Sequence, residues 1–343
     1  MKITIKKIAE LANVSRGTVD RVIHGRPGVK DDVRERVENI LNSFEYKPNL
    51  AGKALVNTRK NIKIGVVLSP DFNPFIDEVK RGIEFEAQSI EAYGVGLDVE
   101  VISIFDENEQ LEILNKLQRS GITAIAIVPV DTEIIRLKIN ELVEAGIPVV
   151  TFNSDISGTR RLCFVGQDNF KAGRTVGELA LKILPRPASV GIISSNMNLS
   201  CHQNRTNGFN SKINEAGGVQ VKGFEQNNDV DKTAYAITRD FIKGIEDLRL
   251  IYLTGGGVGG VGRALKELGK ASEVRVICHD IIPDSIRLLN ESVIDFVIGQ
   301  DPFRQGHLPI KILFDFIFQK ELPENEIYHT GVDIYTGENV SGG

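Results

Sequence analysis

The chain has 343 residues, 41% of them hydrophobic, and a formal net charge of −5, so it can bury more than one core. It contains no 18-residue apolar run, and the N-terminal stretch MKITIKKIAELANVS lacks the apolar centre of a secretory signal. We therefore expect a soluble, cytoplasmic protein with no membrane partner. Cys163, Cys201 and Cys278 stand far apart in apolar or mixed stretches, as free buried thiols would, rather than as a disulfide framework or a zinc site. Charge is unevenly spread. Residues 1–60 hold 13 Lys/Arg against 7 Asp/Glu, and the remainder holds 28 against 39. A basic head on an acidic body points to a polyanion partner for the head alone.

In chain order, Thr4 is a candidate N-cap for a first helix carrying Ile5, Ile8, Ala9, Leu11 and Ala12 at helical spacing. After ANV, Ser15 can cap a second helix, RGTVDRVIHG, with Val19, Val22 and Ile23 as its buried stripe and Gly25 as its stop. A third helix, Lys30 to Ser43, is expected to bury Val33, Val37, Ile40, Leu41 and Phe44. Three short helices with a tight turn between the first two form a helix-turn-helix. Its second helix would present Arg16, Gly17, Asp20 and Arg21 outward from its N-terminal end, which faces base edges, while Ser15 and the helix N-terminal amides can hold a phosphate. Thr18 is counted with Ser15, Arg16, Gly17 and Arg21 as DNA-binding.

The string TIKKIAELANVSRGTVDRVIHG…VKDDVRERVENILNSFEYKPNLAGKAL resembles the DNA-binding head of the LacI/GalR family over about 55 residues in register. The resemblance implies operator DNA as partner, a homodimer, and a hinge helix over Asn49–Val56. In it Asn49 meets DNA and Leu55 wedges into the minor groove, exchanging stacking for contact in a bent duplex. Asp20 stands where the family usually has Ser. Gly52 replaces a helix former in the hinge, at a cost of roughly 1 kcal/mol relative to Ala. The head is placed at 1–48 and the hinge with its linker at 49–60.

From Ile62 the chain alternates apolar β-branched runs (IKIGVVL, VEVISIF, AIAIVPV, IPVVTF, SVGIISS, LRLIYLT, VRVICHD, IDFVIGQ) with amphipathic helices. The latter include Pro74–Ala92, Glu107–Ser120, Thr132–Ala145, Asp168–Leu184 and Arg205–Ala216. Such alternation predicts an α/β body at 61–343: two lobes, each a doubly wound parallel sheet, with ligands at the carboxyl ends of the strands. Those ends carry Asn73, Asp131, Asn153, Asp280 and Gln300, with Phe72 or Phe75 as an aromatic face. Polar hydrogen-bonding groups beside an aromatic platform suit a sugar, polyol or sugar derivative.

The body resembles the ribose-type periplasmic sugar-binding fold, the effector domain of the same family. NPF, PVD, GIPVVTFN, GQDNFKAGRTVGELA and VIGQDPF carry the likeness. It implies that Asn73, Asp131, Asn153, Arg205, Asp280 and Gln300 hydrogen-bond a sugar and that Phe75 stacks on it. Chain crossings between lobes are expected near 153–167, 298–304 and 325–331. Where such domains have an Asn-Asp pair, this chain has Gly255–Gly256, and the position of a second aromatic falls on Val230. Both changes are expected to open that side of the cleft, Gly255 becoming part of its wall.

LTGGGVGGVGRAL matches G-x-G-x-x-G twice, from Gly255 and from Gly257, after a strand and at a helix start. That is the context of a dinucleotide-binding loop, so an NAD(H)-sensing repressor using Gly255–Gly262 stands as the alternative. Against it, about five βα units precede the loop, where a dinucleotide domain would begin with it. The five histidines are scattered and no nucleophile motif occurs. We expect no enzyme, no catalytic residues, no metal and no bound cofactor.

Overall fold

The computed structural model describes residues 4–23, 27–44, 62–71 and 73–340. Two compact units result, Met1–Val56 and Asn57–Gly343.

In the first unit, α1 (Ile5–Ala12) starts on Thr4, whose hydroxyl accepts the Lys7 amide at 3.3 Å. It stops at Asn13, which adopts the left-handed conformation that a short polar side chain tolerates. Two residues later the Ser15 hydroxyl accepts the Thr18 amide at 3.1 Å and opens α2 (Arg16–Ile23). The third helix, α3 (Asp31–Ser43), completes the unit. Ile8, Ala9, Ala12, Val19, Val22 and Val37 form its core, with Val33, Ile40 and Leu41 partly buried around it. Phe44 departs from expectation at 52% exposed. It lies just past the last turn, where the backbone has left helical geometry.

The second unit opens with β1 (Lys63–Leu68), α4 (Phe75–Glu91), β2 (Gly96–Val101), α5 (Glu107–Arg119), β3 (Ala124–Ile127), α6 (Glu133–Glu144), β4 (Val149–Phe152) and β5 (Cys163–Gln167). The chain then runs through α7 (Asn169–Ile183), β6 (Ala188–Ser194), α8 (Ser200–Ala216), β7 (Val219–Gln226), α9 (Asp231–Gly244), β8 (Leu248–Leu253), α10 (Val258–Glu267), β9 (Arg275–His279), α11 (Pro283–Asn290) and β10 (Phe296–Gly299). It closes with α12 (Pro302–Gln319), β11 (Ile327–Thr330) and β12 (Asp333–Tyr335).

Two sheets form, in the orders β2-β1-β3-β4-β5-β11 and β7-β6-β8-β9-β10-β12. All pairings are parallel except β10 with β12. The five leading strands of each sheet share one winding order, so each lobe has a switch point beside its first strand. The expected class, a helix-turn-helix head with two doubly wound lobes, is the one observed. The central strands β3, β4, β5 and β6 are buried throughout, and β1 and β8 at all but one position each, which explains their near-continuous apolar runs.

Local departures have local causes. The strand expected over VEVISIF ends at Val101, because the Glu109 carboxylate accepts the Ser103 and Ile104 amides at 2.8 and 3.3 Å and turns the chain into α5. The edge strand β7, VQVKGFEQ, was not expected; its glycine and charges hide a run that is mostly exposed. Helix α8 begins at Ser200 rather than Arg205, which places Arg205 in its second turn.

The chain passes between lobes after β5, after β10 and after β11. One side chain ties these passages: Gln167 Nε2 donates to the Gly299 carbonyl at 2.9 Å and to the Gly331 carbonyl at 2.8 Å.

Candidate functional site

Between the lobes, strand ends bring polar side chains together as an extended network. The Asn73 carboxamide accepts the Phe75 amide at 3.0 Å, a turn that starts α4 and holds Asn73 beside Asp280. Gln300 Nε2 donates to Asp280 Oδ1 at 2.6 Å, and Gln305 Nε2 donates to the Gln300 carbonyl at 2.7 Å. Asn153 Nδ2 in turn donates to Gln305 Oε1 at 3.1 Å. Asn153 and Asp280 both have left-handed backbones, φ 61° and 75°. Such conformations cost energy even for Asn and Asp and gather where side chains must be aimed.

Arg205 is 2% exposed. Its Nε donates to Asn169 Oδ1 at 2.9 Å, Nη1 to the Thr254 carbonyl at 2.7 Å, and Nη2 to Gln167 Oε1 at 3.5 Å. All three acceptors are neutral, so the buried charge is neutralised by no bonded carboxylate among the described residues. The close crossing of α7 and α8 sets its position: a Cβ on Gly173 would collide with the Arg205 backbone carbonyl. Burial raises the pKa of Asp280, an effect that the Arg205 charge and the Gln300 and Asn73 hydrogen bonds oppose.

Asp131 lies to one side of this network. Its carboxylate accepts Arg136 Nη2 at 2.9 Å, and its pKa is raised chiefly by burial. Its backbone amide reaches across the lobes to the Asn198 carbonyl at 2.7 Å. Ser200 adds to this closure: its Oγ lies 3.1 Å from Ser154 Oγ and accepts the Asp155 amide at 3.2 Å. Phe75 is the first residue of α4, buried in the apolar core, and Phe72 lies outside the described residues.

The glycine loop corrects one expectation. That side of the cleft is occupied. A Cβ on Gly255 would lie 2.7 Å from His202 Cε1, and 2.8 Å from both Asp229 Oδ1 and Ser195 Cβ. The Gly256 amide donates to Asp229 Oδ1 at 2.6 Å, and the Gly260 amide to Asp231 Oδ1 at 3.1 Å. A pyrophosphate would meet two carboxylates already seated on the amides it needs. The geometry therefore disfavours the dinucleotide alternative. Val230, half exposed, caps α9 without adding an aromatic face.

Several site residues were not singled out from sequence: Gln167, Asn169, His202, Asp229, Thr254 and Gln305. Gln167 and Asn169 follow an apolar strand in VGQDN, so the strand-end rule that found the others covers them. Gln305 lies inside α12 and His202 inside α8, where only packing reveals their direction.

On the first unit, Ser15, Arg16, Gly17 and Arg21 are exposed at the start of α2 and along it. Thr18 is partly buried, its hydroxyl 2.9 Å from that of Ser15. Among the described residues a Cβ on Gly17 would touch only Ser15 Oγ, so their packing does not require glycine there. Asn49, Leu55 and the hinge helix expected around them lie outside the described residues. Among the described residues no helix is long and apolar enough to cross a membrane, and no cluster of His, Cys, Asp or Glu is placed to hold a metal ion.

Residues 64–321 match the periplasmic binding protein domain family, and residues 4–49 match the lacI family of bacterial regulatory proteins. The chain is 23% identical to the ribose import binding protein RbsB of Bacillus subtilis over 80% of this chain and 88% of that protein. It is 28% identical to the ribose operon repressor of Haemophilus influenzae over 62% and 61% of the two chains. With catabolite control protein A of Priestia megaterium it shares 30% identity over 44% and 43%. The matches to these two regulators thus span less than two thirds of their length. A solute-binding protein from Burkholderia graminis solved with D-arabinose shares the body's fold, with TM-score 0.76 and 22% identity over 81% of this chain and 96% of that one. The glucose-galactose binding protein GanP of Geobacillus stearothermophilus does so at TM-score 0.73 and 23% identity over 81% and 99%. The chain belongs to the lacI family of bacterial regulatory proteins, a DNA-binding regulator whose helix-turn-helix head is joined to a periplasmic-binding-protein domain.

Proposed function

We propose that this protein is a cytoplasmic, ligand-responsive repressor that binds a pseudo-palindromic operator as a homodimer. A sugar, polyol or sugar derivative in the interlobe cleft would be its effector. The observation that carries the reading is the network of Asn73, Asp280 and Gln300 at facing strand ends, with the buried Arg205 of α8 acting on Asp280 through its charge, in a chain that also bears the head. Carboxylate, amide and guanidinium groups at such ends suit neighbouring hydroxyls. The sugars and polyols named with related binding proteins, D-arabinose and myo-inositol among them, supply a starting panel. In the proposed mechanism the effector binds the open and closed lobe arrangements unequally, which shifts the spacing of paired heads on DNA. Arg16 and Gly17 read base edges, Ser15, Thr18 and Arg21 hold the backbone, and Asn49 and Leu55 act from the hinge.

The test joins both halves. Sites selected from random duplex DNA should show two-fold symmetry, and a panel sugar should raise Tm and change operator affinity. Arg16→Ala and Leu55→Ala should each weaken operator binding at least tenfold while keeping the sugar-induced Tm rise. Unchanged operator binding in both variants would refute the head assignment. A Tm rise with NAD(H) alone, lost in Gly257→Val, would replace the sugar with a dinucleotide.

A further inference from the structure

The wall around Gly255 is built from side chains that accept hydrogen bonds. His202 Nδ1 lies 3.1 Å from the Thr254 carbonyl oxygen and 3.2 Å from the Thr254 hydroxyl, which itself donates to Ser194 Oγ at 3.2 Å. A carbonyl can only accept, so Nδ1 carries the proton and Nε2 is left as a bare acceptor. That nitrogen makes no hydrogen bond among the described residues. Burial, reinforced by the Arg205 charge, holds the His202 pKa down at about 3, so the ring stays neutral and the acceptor persists. Asp229 presents its carboxylate beside the ring. One oxygen takes the Gly256 amide, the residue adopts a left-handed backbone at φ 61°, and part of its surface remains accessible. The fully buried Ser195 hydroxyl, beside the Asp229 carboxylate on which it acts, makes no hydrogen bond of normal geometry among the described residues. A buried polar atom without a partner marks a place where a ligand atom can supply one. Arg205 stands as the donor of this region, with three of its hydrogen bonds already made to protein oxygens.

We propose that His202 and Asp229 determine specificity: they hold a ligand carbon bearing a hydrogen-bond donor, a hydroxyl or an amino group, and they reject phosphorylated or carboxylated relatives of that ligand. This rests on the reading that the cleft takes a polyhydroxylated molecule. The physical reason is a matching of types. A phosphate or carboxylate oxygen brought against Asp229 and a bare imidazole nitrogen meets acceptor with acceptor and charge with like charge. A hydroxyl can donate to either and still accept from Arg205.

The experiment is titration calorimetry on the full chain with two matched series. One is D-ribose, D-arabinose and D-ribose 5-phosphate; the other is D-glucose, D-glucosamine, D-glucose 6-phosphate and D-glucuronate. Myo-inositol and D-fucose extend the neutral set. The best neutral or amino compound should bind at least tenfold more tightly than its anionic counterparts, and a preference for glucosamine over glucose would identify the donor as an amine. Asp229→Asn and His202→Phe should each weaken the best compound at least tenfold. Asp229→Asn should also narrow the gap to the anions. Melting curves of both unliganded variants report folding, and the phenylalanine variant keeps the ring volume without the acceptor. If a sugar binds but both folded variants keep full affinity, or an anion binds best, this inference fails and the reading of a sugar-like effector stands. If no compound of either series binds, both fall.

Discussion

Arg205 and His202 sit one turn apart on α8, and their chemistry is coupled. The guanidinium contributes to holding the buried His202 and His279 rings neutral, His279 well below the usual histidine value. An unfolded chain takes up these protons near pH 6.5, whereas native His202 refuses its own until about 3. Each ring therefore removes stability as pH falls below 6.5, with a limiting slope of about 1.4 kcal/mol per pH unit. Asp229 works in the opposite sense. Its pKa is raised from 3.8 to about 6, chiefly by burial, so the native state binds a proton before the unfolded state does. That uptake favours folding as pH falls from about 6 towards 3.8. Denaturant melts of unliganded protein at pH 7, 6, 5 and 4 should show a steeper acid loss for Asp229→Asn than for wild type, and a shallower one for His202→Phe. A steeper loss in His202→Phe would contradict this assignment.

At the scale of elements, caps and close helix crossings set what the sites can present. Ser15 both opens α2 and supplies its first side-chain acceptor, so Ser15→Ala should lower the head's stability by about 1 kcal/mol. The loss would be read as a lower melting midpoint of the head, measured with a probe on Arg16→Cys. In the body, α7 and α8 cross at Gly173 and Gly208, where an added Cβ would strike the Arg205 and Phe170 carbonyl oxygens. Gly208→Val should cost about 1–3 kcal/mol or more through overpacking and weaken sugar binding, because it moves the helix that carries Arg205. Chemical denaturation together with titration of the best sugar checks both effects; unchanged affinity would separate the crossing from the site. Caps were legible in the sequence because they are local and chemically distinctive. These crossings were not, since a glycine inside an amphipathic run reads the same whether or not a second helix presses on it.

Across the whole body, two sets of hydrogen bonds join the lobes and their passages. Gln167 spans all three interlobe passages and also accepts from Arg205, which joins that buried charge to the passages. Ser200 bridges the lobes through Ser154 and Asp155. Gln167→Leu leaves the Gly299 and Gly331 carbonyls without that donor, at a cost of about 1–3 kcal/mol for each one left unsatisfied. Ser200→Ala removes the bridge while sparing the Gln167 bonds at the passages. Both variants should populate a more open body, seen as a larger radius of gyration in unliganded small-angle scattering, with effector affinity lowered several-fold. An unchanged radius in both would argue against these contacts as the closing force.

Sequence by itself determined what rests on short-range physics: the helix-turn-helix, the βα alternation, and the polar residues that terminate buried strands. Asn73, Asp131, Asn153, Asp280 and Gln300 were visible because an apolar strand that ends in a hydrogen-bonding side chain is a local pattern. Tertiary structure decided which of these residues meet. It joined Asn73, Asp280, Gln300 and Asn153 through Gln305, whose position inside a helix gave no hint of its role. It tied Asp131 to Arg136 instead. It also reversed the reading of the glycine run. Missing side chains at Gly255 and Gly256 read in one dimension as empty space, yet residues far along the chain fill that volume. Packing density is a property of neighbours in space, and local sequence specifies those neighbours only through the fold.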